Sequence, residues 1–343
     1  MAKTINLIFL ADMSVGGASA YTCHLYRALS EQGHTPRIFK LAKRTESKLR
    51  SFNYGLPYQN LSIEDALYQT RNHWTLVTVA HWDKFEDVLV PLFETGAGLV
   101  IHDPAEPKKG MLEYLSQIER KIIVIRKANV EGFNEHGVDC HYIPHPYTRI
   151  YSDTGFPTDM EKRRHAAAFS RVDWDKHTDI IIEANEDLQE ERKIHVWGWE
   201  NRLFTYHKIV ERFPNWRDNY YGLFPKAGNA GQKLARKYKF SVDLSIIVGD
   251  GGGTQYTFME AWDAGCVQII HTDWLREDDP TMKSGVNCIA VNDAAELVAR
   301  LNMPVEAFQS TVVAGRELLK ERASANIVPH IETYFKELGT WEA

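Results

Sequence analysis

The residues with the most chemistry to offer lie between positions 249 and 273, beginning Gly249-Asp250-Gly251-Gly252-Gly253-Thr254-Gln255-Tyr256 and carrying Glu260. A β-branched run at Ser245–Val248 enters this glycine-rich turn, a short helix follows, and a second apolar run comes at Val267–Ile270. Strand, glycine turn, helix and strand is the order in which a parallel α/β sheet presents helix N-terminal amides to an anion. Gly251, Gly252 and Gly253 let the backbone approach a ligand with no Cβ in between. Glu260, one or two turns into the helix, is placed to reach a hydroxyl beside that anion. An anion next to a diol describes a nucleotide; the plainer alternative is a tight βα turn with a solvated glutamate. Arg171 and Lys176 offer a second constellation, a forked donor and a point charge just after a strand, suited to a diphosphate. The alternative for them is the common one, two solvated loop cations. Gly16 and Gly17 open a helix after the first apolar run. The pattern is not GxGxxG and no acidic residue closes the second strand, which disfavours a dinucleotide site. A phosphate or sugar over these two glycines stays open beside a simple turn.

Positioning such groups requires alternating strands and helices. Strands are expected at Ile5–Leu10, Arg37–Leu41, Leu76–Ala80, Gly98–His102, Lys121–Ile125 and His141–Pro144, with a helix from Ala18 closed by Gly33. The polar stretch 151–164 suggests a linker. The alternation then restarts, with strands at Ala166–Ser170, Lys193–Trp197, Asn219–Gly222, Ser245–Val248, Val267–Ile270 and Cys288–Val291. Helices are expected at Lys176–Gln189, Leu203–Arg212 and Gly228–Tyr238, and a long helical pattern from about Ala307 to Leu338 breaks at Pro329. The expected fold is α/β: two Rossmann-like, doubly wound parallel-sheet domains, 1–150 and 165–320, facing a shared cleft. The segment 321–343 is expected as a C-terminal helix able to pack back on the first domain.

The 343 residues are 44% hydrophobic and 25% charged, ordinary for a soluble globular protein. The net charge of -6 argues against a protein that coats nucleic acid indiscriminately but leaves room for a local basic patch. Cys23, Cys140, Cys266 and Cys288 form no CxxC pair, so neither zinc nor a disulfide framework is indicated. The apolar run Ile5–Leu10 is too short for a signal peptide or a span, and a cytoplasmic protein with no membrane partner is expected.

Ser170-Arg171-Val172-Asp173-Trp174-Asp175-Lys176 and the helix after it resemble the Gly-Arg…Lys-Gly segment of retaining glycosyltransferases of the GT-B fold. Gly16–His34 is similar to the N-terminal signature of that class, and Gly251–Gly265 to its Glu-x-x-x-x-x-x-x-Glu segment. The first glutamate of that segment would fall at Gly252, so one carboxylate that usually contacts the donor sugar is missing. Phage enzymes that glycosylate modified DNA bases share this departure. Gln255–Glu260, Trp174–Lys176, Tyr220–Gly222 and Ile101-His102-Asp103 resemble stretches of the T-even phage DNA α-glucosyltransferase and arabinosyltransferase-like group. The resemblance implies that Arg171 and Lys176 hold the diphosphate of a UDP-sugar and stabilise the departing UDP. Gly16, Gly17, Gly253, Thr254, Gln255 and Tyr256 would contact the donor, Glu260 the ribose, and Trp197, Gly198, Tyr221 and Gly222 the uracil. His102 would touch the donor sugar, with a buried structural histidine as the competing account. Asp103 would orient the attacking hydroxyl or take its proton. Front-face displacement with retention is implied, with no cofactor and no divalent metal.

The acceptor is carried mainly by the resemblance: a 5-hydroxymethyl- or 5-hydroxy-pyrimidine in double-stranded phage DNA. Lys43, Arg44, Lys48 and Arg50 cluster after the second strand, as a phosphate-tracking groove would require. Trp74, Trp82 or Phe85 would stack against or wedge beside a flipped base. Scattered solvated charges explain the cluster equally well. A saccharide or lipid acceptor, a UDP-sugar epimerase and a non-enzymatic nucleotide-binding protein are the rival functions.

Overall fold

The apolar runs of the sequence fold into two separate sheets. The computed structural model describes residues 2–10, 16–51, 54–79, 82–102, 109–118, 120–225, 228–246 and 251–339. The chain divides into one unit of Met1–Thr148 with Glu321–Ala343, and another of Arg149–Lys320. The first contributes β1 (Thr4–Phe9), α1 (Gly17–Glu31), β2 (Thr35–Leu41), β3 (Arg50–Ser51), β4 (Pro57–Leu61), α2 (Ile63–Asn72) and β5 (Trp74–Val79). It continues with α3 (Trp82–Glu94), β6 (Gly98–Ile101), α4 (Lys109–Gln117), β7 (Ile122–Val124), α5 (Ala128–Glu135) and β8 (Cys140–Tyr142). The second unit has β9 (Arg164–Ala168), α6 (Thr178–Asp187), β10 (Ile194–Val196), α7 (Arg202–Phe204), α8 (Ala230–Ala235) and β11 (Tyr238–Asp243). After these come α9 (Tyr256–Ala264), β12 (Val267–His271), β13 (Ile289–Val291), α10 (Ala294–Leu301) and α11 (Gln309–Leu318). Helix α12 (Ser324–Glu337) returns to the first unit.

The first sheet runs β3-β4-β2-β1-β5-β6-β7-β8 and the second β10-β9-β11-β12-β13. Every named pair is parallel except β3 with β4. Strands buried on both faces are mostly apolar, and β1 fits with Ile5, Leu7, Ile8 and Phe9 buried, while its buried polar residue Asn6 donates from Nδ2 to Thr75 Oγ1 at 3.2 Å. In each sheet the winding reverses beside the first strand. β1 has β2 on one side and β5 on the other, and β9 has β10 and β11. The carboxyl ends of strands at such a reversal are where open α/β sheets bind ligands.

Four expectations are corrected. The strand expected at Ser245–Val248 is instead β11, Tyr238–Asp243, and the helix expected to reach Tyr238 stops at Ala235. Polar Lys239, Ser241 and Asp243 alternate with buried Phe240 and Val242, which hides β11 from a search for apolar runs. Ser245 and Ile246 lie beyond its end, and 247–250 fall outside the described residues. The strand expected at Asn219–Gly222 reduces to a single bridge between Tyr220 and Val196. The short edge strands β3 and β4 have no counterpart in the sequence reading. Pro329 does not break the terminal helix but sits inside α12; the interruption falls between Leu318 and Ser324, where Ala323 is extended.

The stretch 151–164, expected as a linker, is tied to the second unit. Ile150 N–H donates to Asp263 Oδ2 at 2.9 Å, Arg316 Nη1 to Asp153 Oδ2 at 2.9 Å, and Arg163 Nη1 to the Ala264 carbonyl at 2.9 Å. In the first unit, α12 is fixed by Tyr334, whose hydroxyl donates to the Lys121 carbonyl at 3.0 Å and accepts from Leu99 N–H at 3.2 Å. Phe335 stacks on Trp74 with centroids 4.9 Å apart. Tyr334 lies so close to the backbone of β6 that a Cβ on Gly98 would come within 2.6 Å of its ring. Gly98→Ala should therefore destabilise the protein by about 1–3 kcal/mol, measured as a lowered midpoint in urea unfolding; an unchanged midpoint would show that α12 is not seated there.

Candidate functional site

Between β9 and β11 the second unit brings Arg171 and Lys176 together around one carboxylate. Arg171 Nη2 donates to Asp175 Oδ2 at 2.8 Å, and Lys176 Nζ lies 3.9 Å from the same oxygen. Arg171 Nη1 also lies 3.2 Å from Asp173 Oδ2, while Asp173 Oδ1 accepts from Asn201 Nδ2 at 2.9 Å. Asp173-Trp174-Asp175 is an Asp-x-Asp pair, a spacing that elsewhere shares a divalent cation; here both carboxylates face the guanidinium. No group of three or more His, Cys, Asp or Glu suited to a metal occurs among the described residues. The turn that aims Lys176 inward is unusual. His177 follows it in the left-handed region, φ 44° and ψ 44°, a conformation that costs a non-glycine residue about 1 kcal/mol or more. Lys176 is buried, and its ammonium donates to Ser245 Oγ at 2.7 Å. Two cations bracketing an internal carboxylate form a seat for an external anion, with Asp175 in competition for it.

The glycine turn differs from its expected role in one respect. Gly252 N–H donates to the Trp274 carbonyl at 2.5 Å and Gly253 N–H to the Gly251 carbonyl at 2.8 Å, so these two amides are engaged within the turn. The adjacent donors toward an anion are those of the first turn of α9, which starts after Gln255 without a side-chain cap. Gly252 has φ 71°, and a Cβ there would come within 2.5 Å of the Asp279 carbonyl oxygen. The segment Trp274–Asp279 fills the space that a glutamate at 252 would need, which accounts physically for the missing carboxylate. Thr254 and Tyr256 are buried, and Glu260 is buried on the second turn of α9. A Cβ on Gly231 would lie 3.7 Å from Glu260 Oε2, so the carboxylate is turned toward the start of α8. Thr257, one turn before Glu260, donates to Asp243 Oδ2 at 2.8 Å and so joins α9 to the Lys176 cluster through β11.

At the ends of β9 and β10 three loops lock together. Gly198 N–H donates to the Gly222 carbonyl at 2.8 Å, Tyr221 N–H to the Val196 carbonyl at 2.9 Å, and Val172 N–H to the Trp199 carbonyl at 2.9 Å. A Cβ on Gly198 would lie 1.9 Å from the Ser170 carbonyl oxygen, so only glycine fits between these loops. Trp197 and Tyr221 stack at 5.1 Å, and Tyr221 and Trp199 leave much of their rings exposed. Arg171, Lys176, Gly198, Gly222 and Tyr221 thus occupy one linked set of strand ends.

In the first unit, Gly16 caps α1 and Gly17 begins it, and a Cβ added to either meets no described atom within 4 Å. His102 lies just beyond β6, its Nε2 bonded to the Thr78 carbonyl and its ring 4.8 Å edge-on to Tyr21. Asp103 lies outside the described residues, as do residues 11–15 of the first loop and the side chain of Trp82. Lys43, Arg44 and Lys48 are exposed, whereas Arg50 is held by Glu46 at 2.8 Å. Trp74 is corrected: it is buried against Phe335 and cannot stack on a base. Phe85, likewise offered as a wedge, packs half-buried against the core. Asp175, Asp243 and Ser245 were missed by sequence reasoning; a carboxylate next to Lys176 and a polar residue ending a strand were the available signals.

No protein-family model matches the chain, and no curated protein sequence matches it. Solved structures do. Anabaena Alr3699/HepE, in complex with UDP and glucose, superposes with a TM-score of 0.69 at 11% identity over 98% of this chain and 100% of its own. An alpha-glucosyltransferase in complex with UDP and a 13-mer DNA containing a HMU base gives 0.70 at 10% identity, over 98% and 100%. The pneumococcal O-GlcNAc transferase GtfA, in complex with UDP and GlcNAc, gives 0.67 at 9% identity, over 98% and 99%. The fold is GT-B, with two parallel-sheet α/β domains. No helix among the described residues is long and apolar enough to cross a membrane.

Two outcomes follow from the electrostatics. Asp175→Asn should tighten binding of inorganic pyrophosphate about two- to fivefold, the range expected for a partly exposed pair. Calorimetry checks this, and weaker binding would show that Asp175 is not a competitor for the seat. Burial holds His24 at about 3 and His102 at about 4, and with Arg126 and Arg322 nearby it keeps His145 well below the ordinary range. These native values lie under the unfolded value near 6.5. The stability contributed by the neutral rings is therefore complete above about pH 6.5 and lost as pH falls toward 4 and 3, up to about 1.4 kcal/mol per unit and histidine. Urea midpoints between pH 7.5 and 4.5 should show the fall, and His24→Gln should flatten it.

Proposed function

We propose that the protein is a UDP-sugar-dependent glycosyltransferase that transfers its sugar, with retention, to a hydroxyl of a 5-hydroxymethyl- or 5-hydroxy-pyrimidine in phage DNA. The observation that carries the proposal is the pairing of Arg171 and Lys176 at the β9/β11 reversal, joined through Ser245 and Asp243 to the first turn of α9. A diphosphate seated there meets two cations and a helix N-terminus, which neutralise the charge that grows on the leaving UDP. No divalent metal is required for that step. Glu260 binds the ribose hydroxyls, and the loops at 197–199 and 220–222 hold the uracil beside the exposed Tyr221 ring. His102, kept neutral by burial, contacts the donor sugar, and Asp103 orients the attacking hydroxyl. Retention follows from front-face displacement, in which the departing phosphate helps accept the proton.

For the acceptor, support comes from the exposed cations Lys43, Arg44 and Lys48 and from the likeness to the alpha-glucosyltransferase held on HMU-containing DNA. Arg50 contributes less than its charge suggests, because Glu46 neutralises it. Since an O-GlcNAc transferase shares the fold, the acceptor has to be read directly. The protein is incubated with a panel of labelled UDP-sugars and either duplex DNA containing normal, hydroxymethylated or hydroxylated pyrimidines or free saccharides; base masses and labelled saccharides are measured, with UDP binding followed by calorimetry. A mass gain of one sugar on the hydroxylated bases alone is expected, abolished by Lys176→Ala. Transfer only to added saccharides, or UDP binding without any turnover, would overturn the acceptor or the enzyme assignment respectively.

A further inference from the structure

The buried end of β11 carries the chain of polar contacts that joins Lys176 to the first turn of α9, with Asp243 at its centre. Asp243, Ser245 and Lys176 are all buried. Lys176 Nζ lies 2.7 Å from Ser245 Oγ, and Ser245 Oγ is bonded in turn to Asp243 Oδ1. The directions are fixed by the donors available. An ammonium has no lone pair and a carboxylate no proton, so the serine accepts from Lys176 and donates its single hydrogen to Asp243. Ser245 N–H also donates to Asp243 Oδ1, at 3.2 Å. The other carboxylate oxygen accepts from Thr257 Oγ1 at 2.8 Å, and Thr257 is the second residue of α9. Asp243 is thus the counter-charge of a buried cation one hydroxyl away, and its second oxygen grips the helix whose N-terminus supplies the remaining anion donors. The lysine approaches from the loop after β9 and the helix from the glycine turn, and this carboxylate is bonded toward both.

We propose that Asp243 is a positioning residue that, through Ser245 and Thr257, holds the Lys176 ammonium and the first turn of α9 in register for one anionic group. It rests on the reading of Lys176 as a diphosphate ligand and adds to it. Asp243 does not touch the ligand; it is bonded through Ser245 toward Lys176 and directly to Thr257 at the start of α9. A buried ammonium that loses this counter-charge is left to Asp175, the carboxylate that already competes for the seat at 3.9 Å.

A double-mutant cycle tests this, with UDP and inorganic pyrophosphate as probes and calorimetry as the readout. Asp243→Asn, close to isosteric, should weaken both probes about tenfold, whereas in a Lys176→Met background the same change should alter affinity less than about twofold. Ser245→Ala should repeat the pattern with the carboxylate intact, and it runs the cycle if Asp243→Asn does not fold. A purely structural aspartate would give equal losses in both backgrounds. Wild-type binding with additive losses overturns this proposal and leaves the donor-site reading standing. No binding of either probe by the wild-type protein, or full binding by Lys176→Met, removes the donor-site reading and this proposal with it.

Discussion

An ammonium and a carboxylate buried one hydroxyl apart constrain everything around them in the second unit. Removing both charges from water is expensive, and their attraction offsets the cost only where geometry is tight and the remaining donors and acceptors are satisfied. Here Ser245, Thr257 and the Ser245 amide meet the carboxylate, and the buried Lys176 is followed by His177 in the left-handed region. Such an arrangement gives poor value as a stabilising device. A hydrophobic cluster of the same volume would serve folding as well or better, so its presence at a winding reversal points to a site.

The same reasoning explains which parts of the fold were legible in the sequence. β1 and β12 are buried on both faces, and their mostly apolar runs announce them despite Asn6 and Gln268. β11 sits in the middle of its sheet, yet its sequence alternates polar with apolar residues, and the last polar one, Asp243, bonds Ser245 and Thr257 at the site. Local pattern and tertiary role disagree at the strand where function concentrates. Arg171, Lys176 and the glycine turn were visible as types and spacings. Their bonding was not, because Asp243 comes within one hydroxyl of Lys176 only once the register of β11 against β9 is set. Pro329 misled for the opposite reason. Its missing N–H removes one helical bond, while the packing of Ile331, Tyr334 and Phe335 against the first unit outweighs that loss.

In the first unit the polar interior is of another kind. His24, His102 and His145 are neutral rings at strand ends and on α1, kept so by burial, with aromatic partners at Tyr21 and Tyr147. Buried Arg126 and Arg322 lie near His145, while Lys43, Arg44 and Lys48 stand exposed on the loop after β2.

The glycine at 252 carries this argument one step further. Were the absent carboxylate a simple substitution, a glutamate could be restored without moving the chain. Positive φ and the contact with Asp279 forbid it, since any side chain at 252 must displace the segment Trp274–Asp279. That segment is held by Trp274 Nε1 donating to the Gly253 carbonyl at 2.8 Å and by Arg276 bonded to Asp278 at 2.7 and 2.6 Å. The departure from the Glu-x-x-x-x-x-x-x-Glu pattern is therefore built into the backbone. A donor sugar bound beside this turn would be met by different groups from those that the pattern supplies, however closely the sheets superpose.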